Sequence, residues 1–356
     1  MNKKLISLVL AAALMILPSC GKDTSDLPYS GQTLKLFTWG EYTGDNLIND
    51  FKKQTGANVI IEYFDSNEMM YTKISAGDKY DVIIPSDYTI ERMIKEDMLM
   101  EIDKSKITNY SELAEGVKNL PFDPENKYSI PYFWGSVGIL YNHNNVPQEI
   151  VEEKGYSIFK DTAYKDKIYV YDSERDSFMI ALKALGYSMN STNDAEINEA
   201  YEWLVELNNT MKPTYVTDEV IDGMINGSKD LAVVYSGDAT VVLEENADMS
   251  FSMPKEGTNI WCDSMVIPKN AENPELAHEF INFVLSYDAS YDNSETCGYA
   301  SANQKVLEDM STEGGLYCEN GAFLPRAGYD KDETFEYNEV MKRKLSDLWL
   351  KVKVSK

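Results

Sequence analysis

Histidine is scarce in this chain of 356 residues, which contains only His143 and His278. Two histidines far apart in sequence do not favour a histidine-based zinc site or a Ser-His-Asp triad. The sequence also lacks a Walker loop, a dinucleotide-type glycine fingerprint and a nucleophile elbow. We therefore predict no catalytic residues, no metal and no cofactor. A hydrolase that uses a pair of carboxylates stays open, because acidic residues are plentiful.

Cysteine is scarce as well. Beyond Cys20 the chain has Cys262, Cys297 and Cys318, an odd number that cannot all pair within it. We expect buried free thiols, with a Cys297–Cys318 disulfide as the alternative. If Cys262 lies on a strand, alternation directs its side chain away from those of its two neighbours.

Basic residues are few relative to acidic ones. The chain has 33 Lys and Arg against 59 Asp and Glu, and its formal net charge is −26. A charge of this sign opposes binding to nucleic acid and to anionic lipid surfaces. It favours the encounter with small cations, but solubility alone accounts for most of it. We therefore expect no nucleic-acid partner and do not assign a function from charge.

Long apolar runs are missing after the first twenty residues. At the N-terminus, Lys3 and Lys4 precede an apolar stretch over residues 5–17 that is too short to favour a spanning helix. The stretch ends in LPSC, which resembles a bacterial lipobox with Cys20 as the lipidated residue. We predict a signal peptide over residues 1–19 and a lipid-anchored tether over residues 20–32, with an ordinary signal peptide as the alternative. The rest would be extracytoplasmic and would meet the cell membrane only through the anchor.

Strand and helix patterns alternate along the chain. Over residues 34–96, strand-like runs at 34–37, 59–63 and 81–84 alternate with helical patterns, and Gly56 marks a helix end. A second block has strands at 168–171, 231–235 and 265–268 and helices at 178–185, 195–208 and 274–285, the last capped by Asn273. A final amphipathic helix is expected from Lys331 onward. The alternation predicts an α/β fold with an open parallel sheet, and the length predicts two domains.

Five short segments each pair an aromatic residue with a hydroxyl or a carboxylate. They are FTWGEY (37–42), PSDY (85–88), YSGD (235–238), WCDS (261–264) and CGY (297–299). The first two lie just past the ends of predicted strands, and open α/β sheets bind ligands at the carboxyl ends of their strands. Aromatic faces and carboxylates both attract organic cations, and ring faces also hold methylene chains. The segments therefore predict an acidic aromatic site for an amine, if the fold brings them together.

Each of these residues also has a structural alternative. Trp39 could belong to a core, Asp238 could cap a following helix, and Asp263 could be a turn residue. Tyr299 is one of 24 tyrosines. The prediction therefore depends on the joint occurrence of the residues, in this order along the chain.

Taken together, the motifs resemble those of the spermidine/putrescine-binding proteins of bacterial ABC importers, over nearly all of the chain from Leu34 onward. The resemblance is carried by WGEY (39–42), SNEMMY (66–71), YDVIIPS (80–86), IDKSK (102–106), YSIPYFWG (128–135) and WCDS (261–264). It implies a periplasmic-binding-protein-like fold of two α/β lobes, joined by crossing hinge segments, with the polyamine in the cleft between them. It places lobe 1 at about residues 33–137 plus 262–307, and lobe 2 at about residues 138–261 plus 308–356.

The resemblance also implies the ligand-binding residues. They are Trp39, Tyr42, Ser86, Tyr88, Asp176, Tyr235, Asp238, Trp261, Asp263 and Tyr299, with Ser173 and Thr217 as weaker candidates. Ser173 stands where spermidine-type members can have a second aspartate, and Tyr235 and Gly40 also depart from the family pattern. These departures leave the preference between spermidine and putrescine open. The implied partners are a membrane permease and its ATPase, and the protein is expected to be a monomer.

Two other hypotheses stay open. A binding protein for another cationic solute, such as thiamine, would share the aromatic residues without needing three separated carboxylates. A secreted carboxylate-pair hydrolase would need two acids at a suitable separation, which a sequence cannot show. The absence of other catalytic motifs and the spread of aromatic–acid pairs over both lobes count against the hydrolase.

Overall fold

The structure, a computed structural model, describes residues 27–326 and 328–355. The predicted signal peptide (1–19), the predicted lipidation at Cys20 and most of the predicted tether (20–32) lie outside the described residues. Within the described ranges, every helix is too short or too polar to cross a membrane.

Strands and helices alternate in the first part of the chain, as predicted. They are β1 (Thr33–Trp39), α1 (Leu47–Thr55), β2 (Asn58–Phe64), α2 (Asn67–Ser75), β3 (Val82–Ile83) and α3 (Asp87–Lys95). Gly56 ends α1 with a φ of 81°, a left-handed conformation that glycine adopts without steric cost. Ser66 caps α2 by accepting a hydrogen bond from the N–H of Met69. Because β1 runs parallel to β2 and β3, the segments that follow these strands leave the sheet at one edge.

The middle of the chain begins with a strand that the sequence patterns did not predict. Its elements are β4 (Ser129–Asn142), α4 (Gln148–Lys154), β5 (Ile168–Tyr171), α5 (Glu174–Ala184), α6 (Asp194–Met211), β6 (Thr214–Val216), α7 (Glu219–Ile225), β7 (Leu231–Tyr235) and α8 (Ser236–Glu245). β4 is 14 residues long and buried at all but its last residue, so it lacks the alternation of a half-buried strand. α5 begins at Glu174 rather than at residue 178, because Ser173 caps it.

The last part of the chain departs from the predictions at three places. Its elements are β8 (Met249–Ser252), β9 (Ile260–Val266), α9 (Pro274–Val284), α10 (Tyr287–Cys297), β10 (Ala300–Ser301), α11 (Gln304–Ser311) and α12 (Glu339–Val354). β9 begins at residue 260 rather than 265, so Asp263 belongs to a strand and the turn alternative is wrong. α9 begins where predicted, but Asn273 makes no side-chain cap hydrogen bond. The final helix begins at Glu339 rather than near Lys331.

The strands form one mixed sheet rather than the open parallel sheet that we predicted. Its order is β2-β1-β3-β9-β4-β7-β5-β6, and β8 and β10 also pair with β4. Pairing is parallel at the two ends of this order and antiparallel wherever β4 or β9 takes part. β4 pairs with β9 over residues 129–136 and with β7 over residues 137–141. One long strand therefore joins two halves of the sheet, and it changes neighbours between Ser136 and Val137.

Large apolar side chains on both halves of the sheet are buried. Phe37 on β1, Phe133 on β4 and Phe178 on α5 are each 1% exposed or less. Burying a phenylalanine side chain contributes about 1.5–3 kcal/mol to stability, so this core stabilises both halves of the sheet and the ends of their strands.

The three cysteines within the described residues are free thiols. Cys262 and Cys297 are buried as expected, but Cys318 is exposed, and the alternative Cys297–Cys318 disulfide is wrong. Burial raises the pKa of the Cys262 thiol, so this group stays neutral at physiological pH.

Candidate ligand-binding site

Four of the predicted aromatic residues come together where the two halves of the sheet meet. Trp261 on β9 packs edge-to-face against Tyr299 and Tyr235, with ring centroids 5.2 Å and 6.2 Å apart. Tyr42, which follows β1, meets Tyr299 at 5.7 Å. These are the spacings of favourable aromatic pairs. Four of the five predicted segments thus contribute to one aromatic cluster, formed by Tyr42, Tyr235, Trp261 and Tyr299.

Two of the predicted carboxylates accept hydrogen bonds from tyrosine hydroxyls. Tyr42 Oη donates to Asp263 Oδ2 at 2.8 Å, and both side chains are buried. Tyr299 Oη donates to Asp238 Oδ1 at 2.9 Å, and Tyr171 Oη donates to the other oxygen of the same carboxylate. The pair of Tyr42 and Asp263 joins residues more than 200 positions apart in the chain. Local sequence patterns cannot specify such a contact.

The third predicted carboxylate, Asp176, is bonded in a similar way. Tyr235 Oη donates to Asp176 Oδ2 at 2.9 Å, and Ser173 Oγ donates to the same oxygen at 2.7 Å. The other oxygen, Oδ1, is buried without a hydrogen-bond partner among the described residues. Leaving a buried acceptor unpaired costs about 1–3 kcal/mol, so Asp176 retains capacity for a further donor.

Burial dominates the electrostatics of these three carboxylates. Asp176 is 4% exposed and Asp263 is 6% exposed. Desolvation raises the pKa of Asp263 and of Asp238 to about 6, against the opposing effect of their hydroxyl donors, and it also raises the pKa of Asp176. Within the part of the chain that the structure describes, no Lys, Arg or His nitrogen lies within the 4.0 Å ion-pair distance of any of the three. A cation bound here would stabilise their charged forms.

Local structure places Asp176 and Asp238 at helix N-termini. Asp176 lies in the first turn of α5, and Asp238 lies in the first turn of α8. The positive end of a helix dipole favours a carboxylate there, typically by 0.3–1 kcal/mol, which offsets part of the cost of burial. The predicted alternative for Asp238, a helix cap, is wrong because Tyr235 occupies the N-cap position.

Two glycines allow the aromatic cluster to pack. A Cβ atom on Gly237 would lie 2.2 Å from the ring of Tyr299, and one on Gly135 would lie 2.4 Å from the ring of Trp261. Any larger residue would displace these rings. The indole Nε1 of Trp261 is also buried without a partner among the described residues, so the site has an unused donor on Trp261 as well as an unused acceptor on Asp176.

The PSDY segment contributes a second layer beside Asp263. Ser86 forms an isolated antiparallel bridge with Asp263, and its hydroxyl opposes the effect of burial on the pKa of that carboxylate. Asn67 Nδ2 donates to Ser86 Oγ at 3.0 Å and to Tyr88 Oη at 2.8 Å. The guanidinium of Arg175 lies over the ring of Tyr88, 3.3 Å from its centroid. Tyr88 therefore already stacks on a cation of the protein itself.

Trp39 and Thr217 do not contact the cluster. Trp39 donates from Nε1 to the carbonyl of Ile84 at 3.0 Å and packs against Phe64 at 4.5 Å. Its ring is partly buried at the edge where β1 and β3 end. Thr217 is exposed, and its hydroxyl donates to Glu219 at 3.0 Å. The roles of both residues in binding stay predictions.

Several residues of the site were missing from the predicted set. They are Asn67, Asp87, Tyr132, Tyr171 and Arg175, which touch predicted residues directly or through a hydrogen bond. Tyr171 ends β5, so the rule that ligands bind at strand ends could have found it. Tyr132 donates to the carbonyl of Tyr42 at 2.6 Å from the unpredicted strand β4, and no local pattern distinguishes it from other tyrosines.

An open cavity of about 110 Å³ lies beside the site rather than inside it. Its walls include Asn67, Tyr88 and Arg175, together with Phe335 and Tyr337 from the segment before α12. The three carboxylates are not among its walls. We regard the carboxylates and the aromatic cluster as the chemical centre, because volume alone does not select a ligand, and the cavity as space that adjoins it.

The chain belongs to the family described as bacterial extracellular solute-binding protein, which it matches over residues 46–315. It is similar to the spermidine/putrescine-binding periplasmic protein of Escherichia coli, with 37% identity over 283 residues, which cover 79% of this chain and 80% of the relative. The resemblance predicted from the sequence is therefore confirmed.

Solved structures agree. A spermidine/putrescine ABC transporter protein from Listeria monocytogenes matches with a TM-score of 0.82 and 36% identity, covering 91% of this chain and 100% of that one. The spermidine/putrescine ABC transporter substrate-binding protein from Streptococcus pneumoniae matches with a TM-score of 0.78 and 36% identity, covering 91% and 99%. The mixed α/β fold is that of solute-binding proteins, as predicted.

Proposed function

We propose that this chain binds a polyamine, spermidine or putrescine, outside the cytoplasmic membrane and delivers it to an ABC importer. The observation that carries the proposal is a set of three carboxylates, each bonded to a tyrosine, beside an aromatic cluster and without an ion-pair partner among the described residues; Asp176 and Asp263 are buried and Asp238 is half-buried. The names of the Escherichia coli and Streptococcus pneumoniae relatives specify the same two ligands and support this choice.

The chemistry of the site suits an extended chain of amines and methylenes. An ammonium group beside Asp263, Asp238 or Asp176 forms a charge-assisted hydrogen bond and replaces the hydration that burial removed. The methylenes pack on the faces of Trp261 and Tyr235. Each cation–π contact adds roughly 0.5–2 kcal/mol. Selectivity among amines then follows from the spacing of the carboxylates rather than from total charge.

Strand pairing supports the predicted lobes and their proposed closure. The boundaries proposed for lobe 1 (33–137 plus 262–307) and lobe 2 (138–261 plus 308–356) lie close to the point where β4 exchanges β9 for β7 as its neighbour. The hydrogen bond from Tyr299 to Asp238 joins the two proposed lobes. A ligand that contacts both lobes would stabilise their closed arrangement, which we propose is the form that the permease and its ATPase recognise.

The cellular setting is also a proposal. The LPSC sequence supports lipidation at Cys20, with residues 20–32 as a tether to the cell membrane and the folded part in the extracytoplasmic or periplasmic space. The membership in a solute-binding family supports a monomer that binds without catalysis.

Calorimetric titration with spermidine, putrescine and thiamine tests the proposed function. Tight one-to-one binding of spermidine over putrescine would mean that Asp176, Asp238 and Asp263 each take an amine. The reverse order would mean a short-diamine site in which Ser173 marks a lost contact. Heat with thiamine alone would contradict the proposal, and turnover of a glycoside panel would point to the hydrolase.

A further inference from the structure

One more buried carboxylate lies beside the predicted set. Asp87 is the first residue of α3 and is 1% exposed. Its Oδ1 accepts a hydrogen bond from the N–H of Tyr88 at 2.7 Å, and its Oδ2 accepts one from the N–H of Cys262 at 3.3 Å. Like the other three carboxylates, it has no ion-pair partner within 4.0 Å among the described residues. The aromatic–hydroxyl pattern did not single it out.

Asp87 continues a short ladder between the PSDY segment and β9. The N–H of Ser264 donates to the carbonyl of Pro85 at 3.1 Å, and Ser86 forms a bridge with Asp263. At Asp87, one residue after Ser86, the chain has already turned into α3. The N–H of Cys262 therefore donates to the side chain of Asp87 rather than to a backbone carbonyl. Asp87 thus fixes the backbone next to Asp263 and brings a second carboxylate near enough to interact with it electrostatically.

The neighbours of this carboxylate pair leave it short of positive charge. Desolvation raises the pKa of Asp87 to about 7, and the charge of Asp263 adds to this effect. The N–H groups bonded to Asp87 and the more distant Arg175 oppose it. Burial raises the pKa of Asp263 to about 6. The other titratable groups that face the pair have raised pKa values and stay neutral; they are Cys262 from β9, Tyr88 from α3, Tyr42 after β1 and Tyr299 before β10.

We propose that Asp87 is a further carboxylate of the cation site, and that a cationic ligand on binding displaces a proton carried by one of the two neighbouring carboxylates, Asp87 or Asp263, near neutral pH. The inference rests on the proposed function, because it concerns how the same site takes an amine. An ammonium group next to the pair favours both charges, so the proton passes to the solvent as the amine binds. Affinity then rises with pH until both carboxylates are ionised in the free protein.

Proton release can be counted by titrating the protein with spermidine or putrescine in two buffers that differ in ionisation enthalpy. For the wild-type chain we expect release of about one proton per ligand at pH 6.5 and almost none at pH 8. Asp87→Asn keeps an oxygen for one of the two N–H groups but removes the charge. This variant should lose more than half of the release at pH 6.5 and bind about tenfold more weakly at pH 8.

Asp81→Asn is the matched control. Asp81 is equally buried, at 1% exposed, and it also accepts backbone N–H groups, but it lies away from the aromatic cluster. We expect wild-type proton release from this variant. Unchanged release in Asp87→Asn, or wild-type affinity that is constant between pH 6 and pH 8, would overturn this inference and leave polyamine binding intact. Absence of binding by the wild-type chain to either polyamine would instead overturn the proposed function.

Discussion

Two kinds of buried or half-buried carboxylate in this protein differ in their donors. Asp81 and Asp123 each accept three backbone N–H groups at 2.7–3.0 Å. Asp238 and Asp263 accept mainly tyrosine hydroxyls. Backbone donors are fixed by the fold and stabilise a charge permanently, whereas a hydroxyl can rotate towards a ligand. The comparison teaches that burial alone does not mark a candidate binding carboxylate. Asp81 and Asp123 each have three fixed donors, whereas Asp87 has two and lies beside Asp263.

The largest effect is expected from removing a carboxylate of the first kind. Asp123→Ala leaves the N–H groups of Lys127, Tyr128 and Ser129 without their acceptor, so the free energy of unfolding should fall by about 3–5 kcal/mol. Denaturant unfolding measures this loss. Polyamine affinity, measured under conditions where the variant is folded, should not change. A loss below about 1 kcal/mol would contradict the structural role assigned to this group.

Removing a carboxylate of the second kind should weaken polyamine binding without lowering stability. Asp263→Asn should weaken polyamine binding by roughly 100–1000-fold, because an ammonium loses its charged partner in a buried site. The free energy of unfolding should stay constant or rise, since a desolvated charge disappears. The matched control is Asp309→Asn, which removes an exposed carboxylate bonded to Tyr287 at 2.9 Å. Equal affinity in Asp263→Asn and the wild type would refute the site assignment.

The pH dependence of stability gives a further test of the second kind. Asp238 and Asp263 have a pKa of about 6 in the folded protein, against an ordinary value of 3.8. The folded state therefore holds protons that the unfolded state has lost, and these groups favour folding less and less as pH rises through 6. We therefore compare the wild type with the double variant Asp238→Asn/Asp263→Asn. Between pH 5 and pH 7.5 the free energy of unfolding of the double variant should rise by about 3 kcal/mol relative to that of the wild type. Parallel stability curves for the two proteins would contradict this prediction.

How much of this could be predicted from sequence varies with the range of the contact. Local signals identified the strands and helices from β1 to α3 well, because Gly56 and the apolar runs act within a few residues. They missed β4, since a strand buried on both faces shows no alternation. They also could not give the mixed order of the sheet, because pairing of β4 with β9 depends on residues more than a hundred positions apart.

The site shows the same limit. The aromatic–acid segments and the family resemblance led to Tyr42, Asp263, Asp238 and Tyr299, which the structure brings into one network. They did not reveal which tyrosine bonds to which carboxylate, because those pairs are set by the fold. Asp87 was overlooked although it lies inside a quoted segment, since its relevance comes from its burial against β9.

The smallest effect is expected when a hydroxyl is removed and the charge is kept. Tyr299→Phe deletes the donor to Asp238 Oδ1 but leaves the carboxylate, its bond from Tyr171 and the ring that packs on Trp261. We expect affinity to fall by less than about tenfold and the free energy of unfolding to fall by about 1 kcal/mol.

Tyr287→Phe removes a comparable hydroxyl from the exposed pair with Asp309 and should alter neither quantity measurably. If Tyr299→Phe weakened binding as strongly as Asp263→Asn, the hydroxyl itself would be a ligand contact rather than a replaceable donor. Tyr299 would then bind the ligand itself and would not act as a rotatable donor to Asp238. If affinity instead changed only slightly while stability fell, the amine would be taking over the oxygen that Tyr299 had occupied, which is the exchange that this kind of carboxylate permits.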